Sequence, residues 1–231
     1  IAREYSVPVI VLSDQAIATR IEAFNEPDLK KICKDFKLDL SPVPTHKPYD
    51  LSSGDGRSQH RPPGTRIEDG RYPVVTGLEH DETGHVSADA VNHIKMTKKR
   101  RNKLKTLADE LPAPELHGPE SGDVLLVGWG STKGPLLEAV EEFSNNGHVL
   151  SSLHIKHINP LPTGLEDILP RFKSVYVVEM NDGGVYGYGQ LAGVLRARFA
   201  DARIKGINKT AARRWKVSEI IERIKERLKE E

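Results

Sequence analysis

The sequence contains almost no cysteine and no long apolar run, and both absences exclude classes of protein. Cys33 is the single cysteine among 231 residues, so the chain can form no internal disulfide and cannot hold an iron–sulfur cluster by itself. One thiol is typical of a reducing compartment, and we expect a cytoplasmic protein. No apolar run approaches the roughly 20 residues that cross a bilayer, so we expect no membrane contact.

Charge of one sign and aromatic residues are also scarce. The net charge is +1 and aromatic residues make up 6% of the chain, which favours neither a nucleic-acid nor a membrane partner. The basic run Lys98–Arg101 lies in a helix predicted at about 88–110, with Ser87 as a candidate N-cap. No aromatic residue interleaves these charges, so we expect no nucleic acid. A solvated helix face and a clamp for an anionic partner both stay open.

The N-terminal 40 residues predict a buried strand at 7–12, a turn at Ser13-Asp14 and helical segments as far as "LKKICKDFKLDL". So apolar a strand is typical of a parallel sheet with cover on both faces. We assign Cys33 to an apolar helix face rather than to a nucleophile. Because the chain opens on "IAREYS", which resembles a helix end, we expect the C-terminal part of a longer protein or a piece that completes a partner.

Residues 41–86 show no sustained period of 2 or 3.6 and are rich in Pro, Gly, Ser and charge. A stretch of this length is either disordered or a functional connection that lies on another surface. Its scattered apolar residues favour docking; they are Tyr49, Leu51, Tyr72, Val74, Val75 and Leu78.

From residue 121 onward, apolar strands alternate with amphipathic helices. Strands are predicted at 123–129, 148–155, 174–180 and 203–209, and a final helix at 217–231. This order predicts an α/β fold with a mostly parallel sheet and right-handed crossovers. Ligands and partners of such sheets meet the loops at the carboxyl ends of the strands. Those loops are "GWGST", "KHINPLP" and "EMNDGGVYGYGQ".

Three motifs suggest chemistry. The glycines of "GWGSTKGP" do not form G-x-G-x-x-G, because position 133 is Lys. Two interpretations stay open: a tight strand-to-helix turn, and an anion contact by Ser131 and Thr132. The second would make this region an anion-binding domain that acts by itself. The stretch "SSGDGRS" resembles the start of a thiamin-diphosphate and Mg²⁺ motif, but no buried strand precedes it and the nearest later Asn is Asn92. We interpret it as a chance similarity.

The third motif is "TGLEHDETGH". His80 and His85 are five residues apart and Gly84 interrupts any helix between them, so the pair does not match the zinc pattern H-E-x-x-H. Clustered carboxylates repel unless a cation pairs with them. Arginines lie close in sequence, at Arg57, Arg61, Arg66 and Arg71. We therefore predict a salt-bridged loop docked at an interface, and no metal site.

Taken in order, several stretches resemble one family. "PVIVLSDQ", "RPPGT", "VTGLEHDETGH", "VGWGSTKGPLLEAV", "LHIKHINPLP" and "VVEMNDGGVYGYGQLAGVL" are similar to the α subunits of 2-oxoacid:ferredoxin oxidoreductases, and most similar to the 2-oxoglutarate type. The glycine-rich loop is longer than the shortest family version. The resemblance implies conversion of a 2-oxoacid and coenzyme A to acyl-CoA and CO₂, with electrons passed to ferredoxin.

The resemblance also implies the partners and cofactors. A β subunit would hold thiamin diphosphate and Mg²⁺, an iron–sulfur cluster would lie on a partner chain, and this chain alone would bind no cofactor and be inactive in a hetero-oligomer. It implies four regions: residues 1–24 as the end of a pyrimidine-binding domain, 25–120 as an extended connection, 121–210 as an α/β domain like the C-terminal domain of transketolase, and 211–231 as a C-terminal helix. A pyruvate or branched-chain 2-oxoacid substrate, and a non-catalytic assembly module, remain alternatives.

We assign no catalytic residue and no metal ligand. Residues expected at the substrate or coenzyme A approach, or at an interface, are Arg61, Gly64, Thr76, Gly77, Glu79, His80 and Asp81. Residues expected in the loops of the C-terminal domain are Gly128, Gly130, Ser131, Thr132, Asn159, Glu179, Asn181 and Gln190.

Overall fold

The structure is a computed structural model that describes residues 1–32, 39–144, 149–211 and 213–230. It divides into two units that interleave along the sequence. Ile1–Val11 and Glu22–Glu110 form the first unit, and Leu12–Ile21 and Leu111–Glu231 form the second. The four-region division inferred from the resemblance stays a prediction. The predictions for Cys33 and for the helical segment around it lie outside the described residues.

The second unit contains a five-stranded sheet in the order β1-β3-β2-β4-β5. Strands β2 to β5 are parallel to one another, and β1 pairs with β3 in the antiparallel direction. The strands are β1 Leu116–His117, β2 Gly122–Gly128, β3 Leu150–His154, β4 Phe172–Glu179 and β5 Ile204–Asn208. The prediction of a mostly parallel α/β fold is confirmed, whereas β1 was not anticipated.

Eight α-helices are described across the two units. They are α1 Ala2–Tyr5, α2 Gln15–Ala18, α3 Leu29–Ile32, α4 Ala90–Glu110, α5 Lys133–Ser144, α6 Leu165–Ile168, α7 Gln190–Phe199 and α8 Val217–Glu230. None of these described helices is both long and apolar enough to cross a membrane.

Helices cover both faces of the sheet. Successive strand residues point to opposite faces, so Val124 and Leu126 of β2 pack in one apolar cluster with α5 and α8. Leu125 and Val127 pack in a second cluster, with α7 on the other face. Because all four side chains are buried, β2 is a nearly continuous apolar run, as expected of a covered parallel strand.

The prediction of a buried strand at 7–12 is wrong. These residues are irregular and pair with no strand of the described chain. Ile10 and Val11 are 82% and 85% exposed. An apolar, β-branched run shows a preference for strand structure, but a strand also needs a neighbour to accept and donate its backbone hydrogen bonds.

In the first unit, irregular segments dock on helix α4. This helix begins two residues later than predicted, because the Oδ1 of Asp89, not the side chain of Ser87, accepts a hydrogen bond (2.6 Å) from the first-turn N–H of Asn92. Met96 and Leu107 are its buried residues. Tyr49 and Leu51 are half-buried, whereas Tyr72, Val75 and Leu78 are exposed, so the docking prediction for residues 41–86 holds only in part.

The Gly54-Asp55-Gly56 stretch is one of the docked segments. A Cβ at Gly56 would lie 2.5 Å from the backbone N of Lys103 and 2.5 Å from the carbonyl oxygen of Lys99, so only glycine permits this approach. The Lys99 ammonium donates to the Gly56 carbonyl at 2.7 Å. The glycine that makes this stretch resemble a cofactor motif therefore has a packing role against α4.

Candidate functional site

Arg61 is a largely buried guanidinium in the first unit. Its side chain is 10% exposed, and Nη1 lies 3.0 Å from Oδ2 of Asp39, whose own side chain is 64% exposed. Its Nε is buried and has no hydrogen-bond partner among the described residues. Burial, the charge of Arg61 and that of His60 lower the pKa of His46. Arg61 thus pairs with neither Glu79 nor Asp81, the two partners considered from sequence.

The residues after Arg61 form a closed turn. The N–H of Thr65 donates to the Pro62 carbonyl at 3.2 Å, and its hydroxyl donates to the same oxygen at 2.8 Å. Gly64 is exposed and has a φ of 93°. The "RPPGT" stretch therefore fixes the backbone that carries Arg61.

Glu79 is the centre of the loop that spans residues 76–85, which we call the acidic loop. Arg100 donates Nη1 and Nη2 to its two carboxylate oxygens at 3.1 and 2.8 Å, and Nδ1 of His93 contacts the same carboxylate. The hydrogen bonds of Arg100 and then of His93 lower the pKa of Glu79 to about 2. The salt bridge was predicted, but its arginine lies on α4 and is none of the four arginines considered from sequence.

Two other polar side chains of the loop, Asp81 and Thr76, bond to groups of the loop itself. Oδ1 of Asp81 accepts from the N–H and hydroxyl of Thr83 and from the N–H of His85, at 2.8, 2.6 and 3.1 Å. Thr76 Oγ1 accepts from the N–H of Leu78 at 3.1 Å. These bonds hold the carboxylate of Asp81 inside a turn.

His80 and Gly77 complete the loop. The His80 ring stacks on Tyr49 with centroids 3.7 Å apart and contacts the Leu78 carbonyl through Nδ1 at 2.8 Å. A side chain at Gly77 would meet nothing within 4 Å. Across 1–32, 39–144, 149–211 and 213–230, no group of three or more His, Cys, Asp or Glu residues could hold a metal ion.

In the second unit, Glu179 anchors helix α7 at the carboxyl end of β4. It is fully buried. Its carboxylate accepts from the N–H groups of Leu191 and Ala192 in the first turn of α7, both at 3.0 Å. A carboxylate at this place satisfies free N–H groups and complements the helix dipole. Asn181 Nδ2 at 2.8 Å and Trp129 Nε1 at 3.4 Å complete its shell.

Two side-chain amides extend this network. Asn181 Nδ2 contacts Gln190 Oε1, and Asn208, at the end of β5, donates to Asn181 Oδ1 at 2.8 Å. The structure therefore brings together three residues predicted from sequence, Glu179, Asn181 and Gln190. Sequence reasoning missed Asn208 and Trp129, although Trp129 directly follows β2 and Asn208 ends β5.

The "GWGST" loop is a tight turn, and the backbone N–H of Ser131 already has a hydrogen-bond acceptor. The N–H of Ser131 donates to Oδ2 of Asp14 at 3.0 Å. Burial would raise the pKa of Asp14, but hydrogen bonds from Ser131 and Ile17 outweigh it and lower the pKa. The Thr132 hydroxyl donates to the Trp129 carbonyl at 2.8 Å. An acidic side chain of the same chain thus occupies the position expected for a bound anion.

The remaining predicted loop residues have backbone roles or none in this cluster. The carbonyl of Gly128 accepts from the N–H of Ile155 at 2.8 Å, and the carbonyl of Gly130 contacts Nε2 of His154 at 3.0 Å. Asn159 is exposed and precedes Pro160 through a cis peptide bond. No hydrogen bond links Asn159 to the Glu179 network within the described part of the chain.

This geometry favours support over chemistry. The loops after β2 and β4 lead to helices on opposite faces of the sheet, which is where open α/β sheets usually bind ligands. Here the polar side chains at these loops bond to one another: the N–H of Ser131 donates to Asp14, and Trp129 and Asn181 donate to Glu179.

Sequence comparison gives the family. No family model matches the chain. It is 34% identical, over 78% of its length, to 2-oxoacid:ferredoxin oxidoreductase 1 subunit alpha of Aeropyrum pernix, and 31% identical, over 90% of its length, to 2-oxoglutarate oxidoreductase subunit KorA of Mycobacterium tuberculosis. The chain is a relative of the 2-oxoacid:ferredoxin oxidoreductase α subunits. It spans 29% and 31% of those two proteins.

A solved structure supports the same family relationship. The 2-oxoglutarate:ferredoxin oxidoreductase of Magnetococcus marinus, with 2-oxoglutarate, coenzyme A and succinyl-CoA bound, is 30% identical to it with a TM-score of 0.70. The match covers 79% of this chain and 30% of that one. The family predicted from the ordered motifs is therefore confirmed.

Proposed function

We propose that the chain forms part of the α subunit of a 2-oxoacid:ferredoxin oxidoreductase that acts on 2-oxoglutarate in the cytoplasm. In the complete enzyme, 2-oxoglutarate and coenzyme A become succinyl-CoA and CO₂, and the electrons pass to ferredoxin. The observation that carries the proposal is the match, over 79% of the chain at 30% identity, to an enzyme of that name with these molecules bound.

The reaction needs thiamin diphosphate, which supplies the electron sink for decarboxylation, and the described residues do not fit this group. In the one stretch that resembles its motif, Arg57 Nε lies 2.7 Å from Asp55 Oδ2. Bonds from Ser53 and then Arg57 depress the pKa of Asp55. A carboxylate paired in this way is not free to bind Mg²⁺. We therefore place thiamin diphosphate and Mg²⁺ on a β subunit and the iron–sulfur cluster on a partner chain.

Within this proposal, Arg61 faces the anionic substrates. A guanidinium binds a carboxylate or phosphate through two parallel hydrogen bonds. Arg61 uses one donor on the exposed Asp39 and keeps Nε buried without a partner among the described residues. A substrate carboxylate could replace Asp39 and add a bond to Nε. Glu79 and its loop have a supporting role, since Arg100 and His93 hold that carboxylate.

The test is reconstitution of the complete enzyme, with the full α subunit and a β subunit. We expect reduction of an electron acceptor that depends on both 2-oxoglutarate and coenzyme A. The Arg61→Ala enzyme should assemble normally and show a KM for 2-oxoglutarate raised about tenfold or more, the effect of losing a charged hydrogen-bond pair. Arg66→Ala, at an exposed arginine five residues away, is the matched control.

The outcomes separate the alternatives. Faster turnover of pyruvate or a branched-chain 2-oxoacid would change the substrate but keep the enzyme class. An assembled complex with no substrate-dependent reduction would refute the proposal and favour a non-catalytic module. Loss of assembly in Arg61→Ala, but not in Arg66→Ala, would assign Arg61 to an interface instead.

A further inference from the structure

A cavity in the second unit lies at the edge of the sheet, where the chain enters β1 and leaves β3. Its volume is about 280 Å³, and its lining comes from 112–117, from α5 and from 152–157, together with Pro162. Ligand sites for drug-sized molecules occupy roughly 300–1,000 Å³, so this edge cavity suits a compact molecule. None of its lining residues has a role in the function proposed above.

The edge cavity is rich in positive charge. Lys133 and Lys156 both line it, and Glu115 is the one carboxylate among the lining residues. Within the described part of the chain, neither lysine has an ion-pair partner. Two unpaired ammonium groups at one concave site attract an anion, because low-dielectric walls strengthen their field.

His154 links the two lysines. Burial lowers the pKa of its imidazole, and the charges of Lys133 and Lys156 lower it further against the bond to Gly130. Both ammonium groups are therefore close enough to act on the same ring. Because a neutral ring carries no charge, the positive charge at the cavity comes from the two lysines.

His154 also carries an unused acceptor. Its Nε2 lies 3.0 Å from the Gly130 carbonyl, and since a carbonyl can only accept, Nε2 carries the proton. Nδ1 is then an acceptor, and it is buried with no hydrogen-bond partner among the described residues. A buried group without a partner costs about 1–3 kcal/mol.

Part of the lining is apolar. Pro112, Pro114, Leu116 and Leu137 contribute to it. A site that joins cations to rigid apolar side chains suits a ligand with the same two parts, because burial of apolar surface adds to the ionic contact.

We propose that the edge cavity binds a small organic anion, with its carboxylate or phosphate group near Lys133 and Lys156 and its apolar part against the apolar lining residues. The charge and the apolar lining residues are independent observations. The proposal assigns a ligand class to residues outside the proposed reaction, so it can fail while that function stands.

The test measures binding of four probes to the 231-residue chain by calorimetry: phenyl phosphate, benzoate, phenol and inorganic phosphate. We expect phenyl phosphate or benzoate to bind about tenfold more tightly than phenol, and more tightly than inorganic phosphate. Tighter binding of phenyl phosphate identifies a phosphate ester as the ligand class, and tighter binding of benzoate identifies a carboxylate.

The site is located with charge variants. The double change Lys133→Gln and Lys156→Gln should weaken binding of the better anionic probe about tenfold or more. A matched double change of exposed lysines elsewhere, Lys98→Gln and Lys225→Gln, should leave it unchanged. Because all four side chains are exposed on the surface, the variants are expected to fold. Equal binding of phenol, equal binding by both double variants, or no binding of any probe would overturn the proposal.

Discussion

Arg100 clamps Glu79 with two parallel hydrogen bonds, of 3.1 and 2.8 Å, across 21 residues of sequence. Two-point pairs of this kind are the strong members of their class. The pair joins the acidic loop to helix α4 within the first unit, so the loop's position depends on one arginine of a basic run.

The first prediction concerns that arginine. Arg100→Gln should loosen the loop by roughly 1 kcal/mol, the upper range for a partly exposed ion pair. The measurement is hydrogen exchange of the backbone amides at 76–87, which should speed up several-fold. Arg101→Gln, one residue along at an exposed position, should leave exchange unchanged. Equal effects of the two changes would show that the basic run acts only through its total charge.

The second prediction is a pH dependence. Arg100 and His93 hold the folded-state pKa of Glu79 at about 2, below its ordinary value of 4.5. The unfolded loop therefore binds a proton at higher pH than the folded loop does. The stabilisation is present in full above pH 4.5 and is lost as the pH falls toward 2. Carboxyl NMR titration should show this pKa rise toward 4.5 in the Arg100→Gln protein, and an unchanged value would contradict the assignment.

The third prediction concerns Glu179. Glu179→Gln replaces one accepting carboxylate oxygen with an NH₂ group, which is a donor. This group would face backbone N–H groups that are also donors, so the free energy of unfolding should fall by about 1–3 kcal/mol. Trp129 and Trp215, the chain's two tryptophans, bond to the carboxylate and the backbone carbonyl of Glu179, so their fluorescence reports unfolding of this unit in urea. Glu138→Gln, at an exposed position of α5, is the control and should show no shift.

The fourth prediction tests the packing before α7. A Cβ at Gly189 would lie 2.5 Å from Asn181 Oδ1 and 2.6 Å from Glu179 Oε1, so Gly189→Ala should destabilise the unit by roughly 1–3 kcal/mol. The matched change Gly134→Ala meets no atom within 4 Å and should be neutral or stabilise by up to about 1 kcal/mol. The same urea titration measures both, and two similar destabilisations would refute the packing argument.

The fifth prediction concerns the "GWGST" turn. Asp14→Ala removes the acceptor of the Ser131 N–H and the cap of α2. Exchange of the Ser131 amide should then become at least several-fold faster, and Ser13→Ala should not change it. Unchanged exchange in Asp14→Ala would mean that another group protects this N–H.

The sequence was most informative where a pattern is local. The α/β order from residue 121 follows from apolar runs of strand length and helical faces such as Leu136, Val140 and Phe143, all buried in α5. The buried Glu179 was also predictable as a site residue, because it is a carboxylate at the carboxyl end of a covered strand. The strand at 7–12 failed since its pattern describes only one half of a pairing.

Partners in space were not predictable. Arg100 is 21 residues from Glu79, and nearer arginines compete equally well on paper. Asp14 lies 117 residues from Ser131, and a lone Asp in a turn gives no sign of its target. Gly189 could have been suspected, since it stands directly before a helix start in a glycine-rich loop, but only coordinates show the three side chains that fill its space.

The interleaving of the two units limits how this molecule can be divided. A protein engineer working from sequence would cut near residue 111 and transplant everything after it as a self-sufficient α/β module. That module would lack Leu12–Ile21, and with it the carboxylate of Asp14 that closes the turn after β2. The ten-residue segment would have to be kept with the sheet, either supplied as a peptide or joined to the new N-terminus by a linker.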